Sequence, residues 1–345
     1  MSEPTDGPDR PGLTEAERLQ YAIGAIPSFL QQPYALTEAD LDRWRPDVAI
    51  LGAPFDLGVS NRPGARFGPR ALRAQAYESG TYHLSHGVEI TDWLTVVDHG
   101  DAHCPHGGID ASLANIRARV HGVARRGILP VTVGGDHTVV WPALTGIADH
   151  LGYGRIGMLH FDAHADTARE IDGALASHGT PMYHLVDSGA VRADRFAQIG
   201  LRSHWPEAEV WDWMHEVGIR SYLMDDVVAR GIGPVVDDAI DHVLADCDAV
   251  YLSVDIDCLD PAFAPGTGTP EPGGLQAREL LLALRRIARR VPLVGMDLVE
   301  VAPAHDHADV TVNSAHHAIV EVLAGIAANR RDAAGAAPGR PARID

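Results

Sequence analysis

The amino-acid sequence predicts an α/β fold: a single domain arranged as a three-layer α/β/α sandwich, with a central, mostly parallel sheet of eight strands. Two patterns indicate this class. Short, nearly continuous apolar runs recur along the chain, as they do in parallel sheets, where helices cover both faces of every strand. Amphipathic segments with apolar residues three and four positions apart separate most of these runs, and that alternation is typical of βαβ units.

Eight apolar, β-rich runs are the predicted strands. In chain order they are residues 47–53, 94–98, 129–133, 156–161, 197–201, 220–223, 249–256 and 293–301. The helical periodicity is clear at residues 109–124, 238–245 and 277–288, and the proline- and glycine-rich segment 264–274 is predicted to be a loop. Ligands bind beyond the carboxyl ends of the strands in such sheets, so residues that follow a strand are the first candidates for a functional site.

The 345 residues, 46% of them hydrophobic, are enough to bury a large core. We expect the folded domain to span residues 16–330. Residues 1–15 are polar, and residues 331–345 are rich in alanine, glycine, proline and arginine. Such composition buries little apolar surface, so both ends are predicted to be disordered tails.

The charge and the cysteine content limit the partners and the compartment. With 47 acidic against 28 basic residues, the formal net charge is −19. This charge disfavours nucleic acid and anionic membranes as partners and would attract a small cationic substrate, although it could equally serve solubility or salt adaptation alone. Three cysteines without a CxxC pair, no secretory signal and no apolar run near the ~20 residues of a membrane span indicate a soluble, cytoplasmic protein.

The most informative segment is HFDAHAD, residues 160–166. Asp162, His164 and Asp166 are two residues apart, so on an extended strand their side chains would point to one face. Two carboxylates and an imidazole that converge after an apolar run indicate a metal site. Read alone, the segment also allows aspartates that cap a helix and a histidine that lies in the core.

Two further clusters follow apolar runs. Asp255 and Asp257 repeat the two-residue spacing, and His137 ends the segment GGDH. Each cluster alone is compatible with a structural role. Together, like charges at neighbouring strand ends need a compensating cation, so we predict one metal centre. Its candidate ligands are His137, Asp162, His164, Asp166, Asp255 and Asp257.

The chemistry of these ligands indicates the metal and the reaction type. Carboxylates suit hard cations and imidazoles suit transition metals, so the mixed set favours manganese, with nickel, cobalt, iron or zinc as alternatives. Six ligands suit two ions that share bridging carboxylates. Such a pair lowers the pKa of a bridging water from about 15.7 towards about 7, so hydroxide is available at neutral pH for a hydrolysis.

The motifs that carry these residues resemble those of the ureohydrolases, the arginase and agmatinase enzymes. They are GGDH at 134–137, HFDAHAD at 160–166 and SVDIDCLDPAFAPGTGTPEPGG at 253–274. The resemblance extends from residue 52 to residue 303, through RPGARFGP at 62–69. It looks closer to the agmatinase, guanidinobutyrase and proclavaminate amidinohydrolase branch than to arginase proper. It implies an arginase-like fold and a homo-oligomer, a trimer or hexamer.

The resemblance also implies roles for the ligands. One manganese would be held by His137, Asp162, Asp166 and Asp255, and the other by Asp162, His164, Asp255 and Asp257, so that Asp162 and Asp255 bridge. In the family reaction, hydroxide attacks the guanidinium carbon, a tetrahedral intermediate forms, and urea and an amine are released. Asp166 would orient the hydroxide and relay its proton.

Two more residues are predicted to be catalytic and to bind the substrate. His178, in SHGTP, resembles the histidine of the family's His-Gly loop and would deliver a proton to the departing amine, since its ordinary pKa of about 6.5 suits a proton shuttle. Glu300 resembles the glutamate that binds the guanidinium, a planar fork that a carboxylate matches with two hydrogen bonds. The alternatives are a histidine of a surface loop and a buried carboxylate paired with an arginine.

The substrate tail is less well defined by the sequence. Agmatine carries a cation there, whereas 4-guanidinobutyrate and 3-guanidinopropionate carry a carboxylate. The loop 167–177 is predicted to touch this tail, but Arg169, Glu170 and Asp172 have mixed charges, and Ser177 stands where agmatinases often have aspartate. Trp205 could wall the tail or pack in an interface.

We expect the substrate to be agmatine, which would be hydrolysed to putrescine and urea. The alternative is that the enzyme is a guanidinobutyrase, a guanidinopropionase or another guanidino-acid amidinohydrolase. The alternatives from a different functional class are a non-catalytic metal-binding homologue and a deacetylase-like enzyme with a single zinc.

Overall fold

The computed structural model describes residues 27–75 and 81–337. The predicted tail 1–15 and residues 16–26 lie outside this part of the chain, as do residues 338–345 of the predicted C-terminal tail. Within it, no helix is both long enough and apolar enough to cross a membrane.

The described residues form ten strands, eight of which make one sheet. The strands are β1 (Val48–Ala53), β2 (Tyr82–His83), β3 (Val88–Glu89), β4 (Val96–Asp101), β5 (Leu129–Gly134), β6 (Ile156–Phe161), β7 (Phe196–Leu201), β8 (Arg220–Leu223), β9 (Ala249–Asp255) and β10 (Leu293–Val299). The large sheet has the order β4-β1-β5-β10-β9-β6-β7-β8, and all of its neighbouring strands are parallel. Strands β2 and β3 form a small antiparallel hairpin.

Eleven α-helices occur in the same residues. They are α1 (Glu38–Trp44), α2 (Gly68–Arg73), α3 (Ile90–Trp93), α4 (Ile109–Ala124), α5 (Val140–Leu151), α6 (Pro181–Asp187), α7 (Ala208–Val217), α8 (Met224–Arg230), α9 (Ile232–Leu244), α10 (Ala277–Arg290) and α11 (Val310–Ala333). Short 3-10 turns lie at Phe29–Gln31, Ala65–Phe67, His137–Val139, Ala193–Arg195, Ile256–Cys258 and Pro303–His305.

The helices cover both faces of the large sheet and make two hydrophobic layers. Along β6, Met158 packs with the residues of α4, α5 and α6, whereas its neighbour Leu159 packs on the other face with those of α9, α10 and α11. Successive side chains of a strand point to opposite faces, so a strand buried on both sides must be apolar throughout. The predicted three-layer α/β/α fold with an eight-stranded sheet is confirmed, and this sheet is wholly parallel.

The last strand of the chain lies in the middle of the sheet. β10 pairs with β5 on one side and with β9 on the other. The chain first builds the half with β4, β1 and β5, then the half with β6, β7, β8 and β9, and finally joins the two. The carboxyl ends of β5, β10, β9 and β6 are therefore adjacent, at the crevice where such sheets bind ligands.

Several element boundaries differ from the predicted ones. Helix α9 begins at Ile232, six residues before the periodic stretch, because Pro234 is compatible with the first turn of a helix. Helix α11 continues through Arg331, where the sequence placed the start of the C-terminal tail. The Arg331 guanidinium is buried and donates to the carbonyl oxygens of His86 and Gly87.

Candidate active site

The carboxyl ends of the four central strands carry the predicted site residues. His137 starts the turn three residues after the end of β5, and Asp162 follows β6 directly. Asp255 is the last residue of β9, and Asp257 lies in the turn after it. Glu300 follows β10 directly. Parallel strands bring these residues together because their carboxyl ends meet at one edge of the sheet.

His137 faces a group of carboxylates. Its Nδ1 lies 2.8 Å from Asp166 Oδ2, 3.0 Å from Asp162 Oδ2 and 3.3 Å from Asp255 Oδ2. The imidazole is completely buried, yet Nδ1 makes no hydrogen bond in the described structure. These four side chains form one group whose ligand atoms are close enough to hold a single metal ion.

The other nitrogen of His137 fixes the tautomer of the ring. Nε2 lies 2.9 Å from Ser253 Oγ, and Ser253 donates its own hydroxyl proton to Asp297 Oδ1 at 2.7 Å. Tyr251 donates to the second oxygen of Asp297 at 2.8 Å. Because the Ser253 proton is committed, Nε2–H must donate to Ser253, and Nδ1 is left with its lone pair among carboxylates. A lone pair that faces three carboxylate oxygens needs a cation between them.

A second group lies around His164. Its Nδ1 is 3.1 Å from Asp257 Oδ2 and 3.5 Å from Asp162 Oδ1. Asp257 is held in place because its Oδ1 accepts the backbone N–H of Ala163 and its Oδ2 accepts the hydroxyl of Thr269. Asp162 belongs to both groups, whereas Asp255, the other predicted bridge, belongs to the first only.

The ionisation of this cluster requires positive charge. Burial raises the pKa of Asp255 well above its ordinary value, and the nearby Asp257 and Asp162 add to the rise. Burial also raises the pKa of Asp166. Burial alone would lower the pKa of His164, but Asp257 and Asp162 raise it to about 12. Buried carboxylates that are this close are favourable in their charged form only beside cations. The donor set therefore fits a pair of divalent ions.

His160 also contacts the cluster, although the sequence did not single it out as a ligand. Its Nε2 lies 2.8 Å from Asp162 Oδ2, and its Nδ1 lies 3.1 Å from the amide nitrogen of Gln198. With His137 and Asp162 it forms a third potential metal group. The signal was available, because His160 is two residues before Asp162 and lies on the same face of β6. Held by Gln198, His160 is positioned to orient Asp162.

His178 and Glu300 meet beside the metal groups. The Nδ1 of His178 lies 3.0 Å from Glu300 Oε1, and this oxygen also accepts the backbone N–H of His137 at 2.9 Å. Burial would lower the pKa of His178, but Glu300 raises it to about 9. The other ring nitrogen, Nε2, lies 2.7 Å from the hydroxyl of Ser60. Glu300 is buried, and its described partners are His178 and a backbone N–H, not an arginine.

Two site residues adopt left-handed backbone conformations. The φ angle is +53° at Asp166 and +64° at Glu300. This conformation is energetically unfavourable for a non-glycine residue, and strain of this kind is concentrated at functional sites. The backbone oxygen of Asp166 accepts from Met182, and the backbone N–H of Glu300 donates to Gly135. These hydrogen bonds fix the backbone at the two residues that carry the carboxylates.

A cavity of about 290 Å³ opens onto the two groups. Its lining includes His164, Asp166, His178 and Asp255, and also Trp205, 46% of whose surface is exposed. From the loop 167–177, Thr167, Ala168 and Ile171 line the cavity, whereas the charged residues of that loop do not. Ser177 instead donates to the carbonyl oxygen of Gly58. The cavity suits a small ligand, since it is near the lower end of the usual range of ~300–1,000 Å³.

Comparison with known proteins gives the family. The sequence profile of the arginase family matches residues 46–325, about four-fifths of the chain. The chain belongs to the arginase family. It is 37% identical to guanidinobutyrase from Pseudomonas aeruginosa over 82% of this chain and 87% of that protein. It is 36% identical to agmatinase from Cronobacter sakazakii over 86% of this chain and 91% of that one.

The solved structures agree with the assignment to this arginase family. The structure of proclavaminate amidinohydrolase from Streptomyces clavuligerus superposes with a TM-score of 0.81 at 34% identity, covering 89% of this chain and 99% of that one. The prediction of a ureohydrolase-family enzyme on the agmatinase-like branch, made from the motifs, is confirmed.

Proposed function

We propose that this member of the arginase family is a binuclear metal amidinohydrolase that hydrolyses a guanidino compound to urea and an amine. The observation that carries the proposal is the convergence of His137 and His164 with four aspartates at the ends of β9, β6 and β5, with His137 Nδ1 unpaired among carboxylate oxygens. Names of the similar proteins, guanidinobutyrase and agmatinase, support a guanidino substrate.

The ligands divide between two ions. His137, Asp162, Asp166 and Asp255 would hold one ion, and Asp162, His164, Asp255 and Asp257 the other. Manganese is the expected metal, with nickel, cobalt, iron or zinc as alternatives. When bound, divalent ions of this kind lower the pKa of water so that hydroxide is available at neutral pH.

The remaining steps belong to the side chains around the cluster. Glu300 would accept hydrogen bonds from the guanidinium and orient its carbon, and Asp166 would hold the hydroxide and take its proton. His178 would donate a proton to the departing amine. Its Nδ1–H donates to Glu300, and its Nε2 accepts the backbone N–H of Ser60 and lies 2.7 Å from the Ser60 hydroxyl, so the proton that His178 holds in this arrangement is the one on Nδ1.

The test combines metal analysis with product detection. Full-length protein loaded with manganese should contain two equivalents of metal per chain and release urea from agmatine or 4-guanidinobutyrate. The Asp162→Asn variant should lose this activity because Asp162 belongs to both metal groups, whereas Asp225→Asn, a change at an exposed aspartate of α8, should not. One equivalent of metal without urea release would favour the deacetylase-like alternative.

The family resemblance further implies a homo-oligomer, a trimer or hexamer. The mass in solution should then be three or six times the 36.9 kDa of the chain. Light scattering on the metal-loaded protein measures it directly.

A further inference from the structure

One arginine beside the proposed metal centre donates only to backbone carbonyl oxygens. Arg202 follows β7 directly and is half-buried. A guanidinium has five N–H donors in a rigid fork, so it can serve several acceptors at once. Within residues 27–75 and 81–337, the acceptors of Arg202 are the carbonyl oxygens of Gly200, Asp257, Cys258, Leu259, Glu271 and Pro272. Arg202 belongs neither to the proposed metal ligands nor to the proposed catalytic residues.

Arg202 joins the turn after β9 to the far end of the loop 264–274. That turn carries the proposed metal ligand Asp257, whose carbonyl oxygen accepts from Nη2 of Arg202 at 2.7 Å. The same nitrogen, which has two hydrogens, donates to the carbonyl oxygen of Glu271 at 2.7 Å. One guanidinium therefore connects the backbone of a proposed metal ligand to a loop that lines the cavity.

The loop 264–274 is also closed at its base by its own backbone. The N–H of Asp260 donates to the carbonyl oxygen of Leu275 at 2.9 Å, and the Asp260 carboxylate accepts the N–H of Gly273 at 2.8 Å. Arg202 adds its hydrogen bonds at this base, where the two ends of the loop meet. A loop whose ends are joined has fewer conformations available, so the residues at its tip are held more firmly in place.

The tip of the loop contacts one of the two proposed metal groups. The hydroxyl of Thr269 donates to Asp257 Oδ2 at 3.2 Å, and that oxygen lies 3.1 Å from His164 Nδ1. Asp257 and His164 belong to the group around His164 and not to the group around His137. Arg202 therefore acts on the group around His164 in two ways, through the carbonyl oxygen of Asp257 and, by way of the loop, through its carboxylate.

We infer that Arg202 is a positioning residue that sets the affinity of the group around His164 for its metal ion. This inference rests on the proposed function. The guanidinium holds the turn that carries Asp257 and the loop that carries Thr269 in one arrangement, in which the Asp257 carboxylate faces His164. Lysine would keep the positive charge, but its three donors leave a single nitrogen and cannot reproduce the planar fork. The group around His164 therefore needs the geometry of Arg202 and not only its charge.

The test measures manganese binding by metal-free, full-length Arg202→Lys protein with titration calorimetry. The affinity for one of the two ions should fall by about 10- to 100-fold, the range seen when the partners of metal ligands are removed, and the affinity for the other ion should stay as in the wild type. Asp257→Asn, which removes a proposed ligand of the group around His164 alone, is the reference for loss of that ion.

Electron paramagnetic resonance gives a second readout, because neighbouring manganese ions couple their spins and a single ion does not. At a manganese concentration that fills both groups in the wild type, Arg202→Lys should give the spectrum of an isolated ion, as Asp257→Asn does. A spectrum of coupled ions in Arg202→Lys would overturn the inference.

Two further variants separate the loop from a general effect of losing an arginine. Thr269→Val removes the hydroxyl that Asp257 accepts, and it should weaken the same ion by less than Arg202→Lys, because the backbone contacts of Arg202 remain. Arg119→Lys is the matched control. Arg119 also donates to two backbone carbonyl oxygens, but it lies on α4 and does not line the cavity, so this variant should bind both ions as the wild type does.

Hydrogen exchange distinguishes a local effect from a loss of the whole fold. The backbone N–H groups of Asp260, Gly273 and Leu275 should exchange faster in Arg202→Lys, whereas those of β5 should exchange as in the wild type. Faster exchange in β5 as well would mean that Arg202 supports the entire sheet, and it would overturn the inference.

Unchanged affinities for both ions in Arg202→Lys, or equal losses for both, would also overturn the inference while the proposed function stands. A wild type that binds fewer than two manganese ions per chain would refute the proposed function, and the inference with it.

Discussion

At the scale of single residues, the position of the Ser253 hydroxyl fixes the tautomer of the His137 ring. The Ser253 hydroxyl accepts a hydrogen bond from His137 Nε2–H and donates one to Asp297, and all three side chains are completely buried. The chain of hydrogen bonds leaves Nδ1 as the only ring nitrogen that can bind a cation. A residue outside the proposed ligand set therefore controls the orientation of a proposed metal ligand.

Removing this hydroxyl should weaken metal binding. Ser253→Ala leaves Nε2 without a partner, so the imidazole is free to rotate and to change tautomer. We expect manganese affinity to fall by about 10- to 100-fold, the range seen when partners of metal ligands are removed. Titration calorimetry of the metal-free protein measures this. Ser188→Ala, which removes a hydroxyl that donates to the exposed end of α6, is the matched control; an equal loss of affinity in both variants would contradict the role of Ser253.

The residues that converge at the site could be predicted because their spacing is local. Asp162, His164 and Asp166 are two positions apart, and each cluster follows an apolar run. The partners of these residues could not be predicted, because they come from distant segments. Ser60 reaches His178 across 118 positions, and Asp136 reaches the backbone of Gly58 across 78. Nothing in the sequence near Ser60 indicates such a contact.

At the scale of elements, the close packing of the segment after β5 requires glycine at position 135. Gly135 donates its N–H to Ala53, and its carbonyl oxygen accepts from Glu300. A Cβ placed on Gly135 would lie 1.5 Å from the backbone oxygen of Phe55. The end of β5, the loop after β1 and the residue after β10 therefore approach one another closely only because residue 135 is glycine.

A larger residue at position 135 should push the end of β5 away from the loop after β1. Gly135→Ala must displace backbone, since the clash is not with a flexible side chain, and we expect it to lower the free energy of unfolding by about 1–3 kcal/mol. At Gly233 in α9, a Cβ would meet the Arg286 guanidinium at an ordinary 3.7 Å. Gly233→Ala should be neutral or stabilise the protein by a few tenths to about 1 kcal/mol. Urea denaturation of both variants tests the contrast; equal effects would show that the close approach at Gly135 carries no energetic weight.

The central elements were predictable, and the peripheral ones were not. A strand buried on both faces needs an apolar run, and that is why β5, β6 and β9 were found nearly to the residue. The hairpin of β2 and β3 has only two residues in each strand, too few for any period. β10 stops at Val299, two residues before the predicted end, because the left-handed conformation of Glu300 interrupts the extended backbone.

At the scale of the whole molecule, the proposed metal centre should contribute to stability. It would join residues that follow three strands of the sheet, and an unfolded chain cannot hold them together. A ligand that binds only the folded state at a hundredfold excess over its dissociation constant stabilises that state by about 2.7 kcal/mol. In a protein of this size, this corresponds to a rise in melting temperature on the order of 5 °C.

Calorimetry with and without manganese measures this rise. Chelator-treated protein should melt at the lower temperature and recover when manganese is added back. The Asp162→Asn variant should show little response, because both metal groups include Asp162. A melting temperature that is unaffected by manganese in the wild type would mean that the cluster does not bind the ion in the folded protein.

The strand order of the sheet has a consequence for the growing chain on the ribosome. Until residues 293–299 have emerged, β5 and β9 each lack a neighbour, and a chain that ends before them consists of two half-sheets with open inner edges. Open edges of apolar strands recruit strands from other molecules. Nascent or truncated chains without this last segment should therefore be aggregation-prone. A protective chaperone would need to remain bound to the nascent chain until β10 has inserted between β5 and β9.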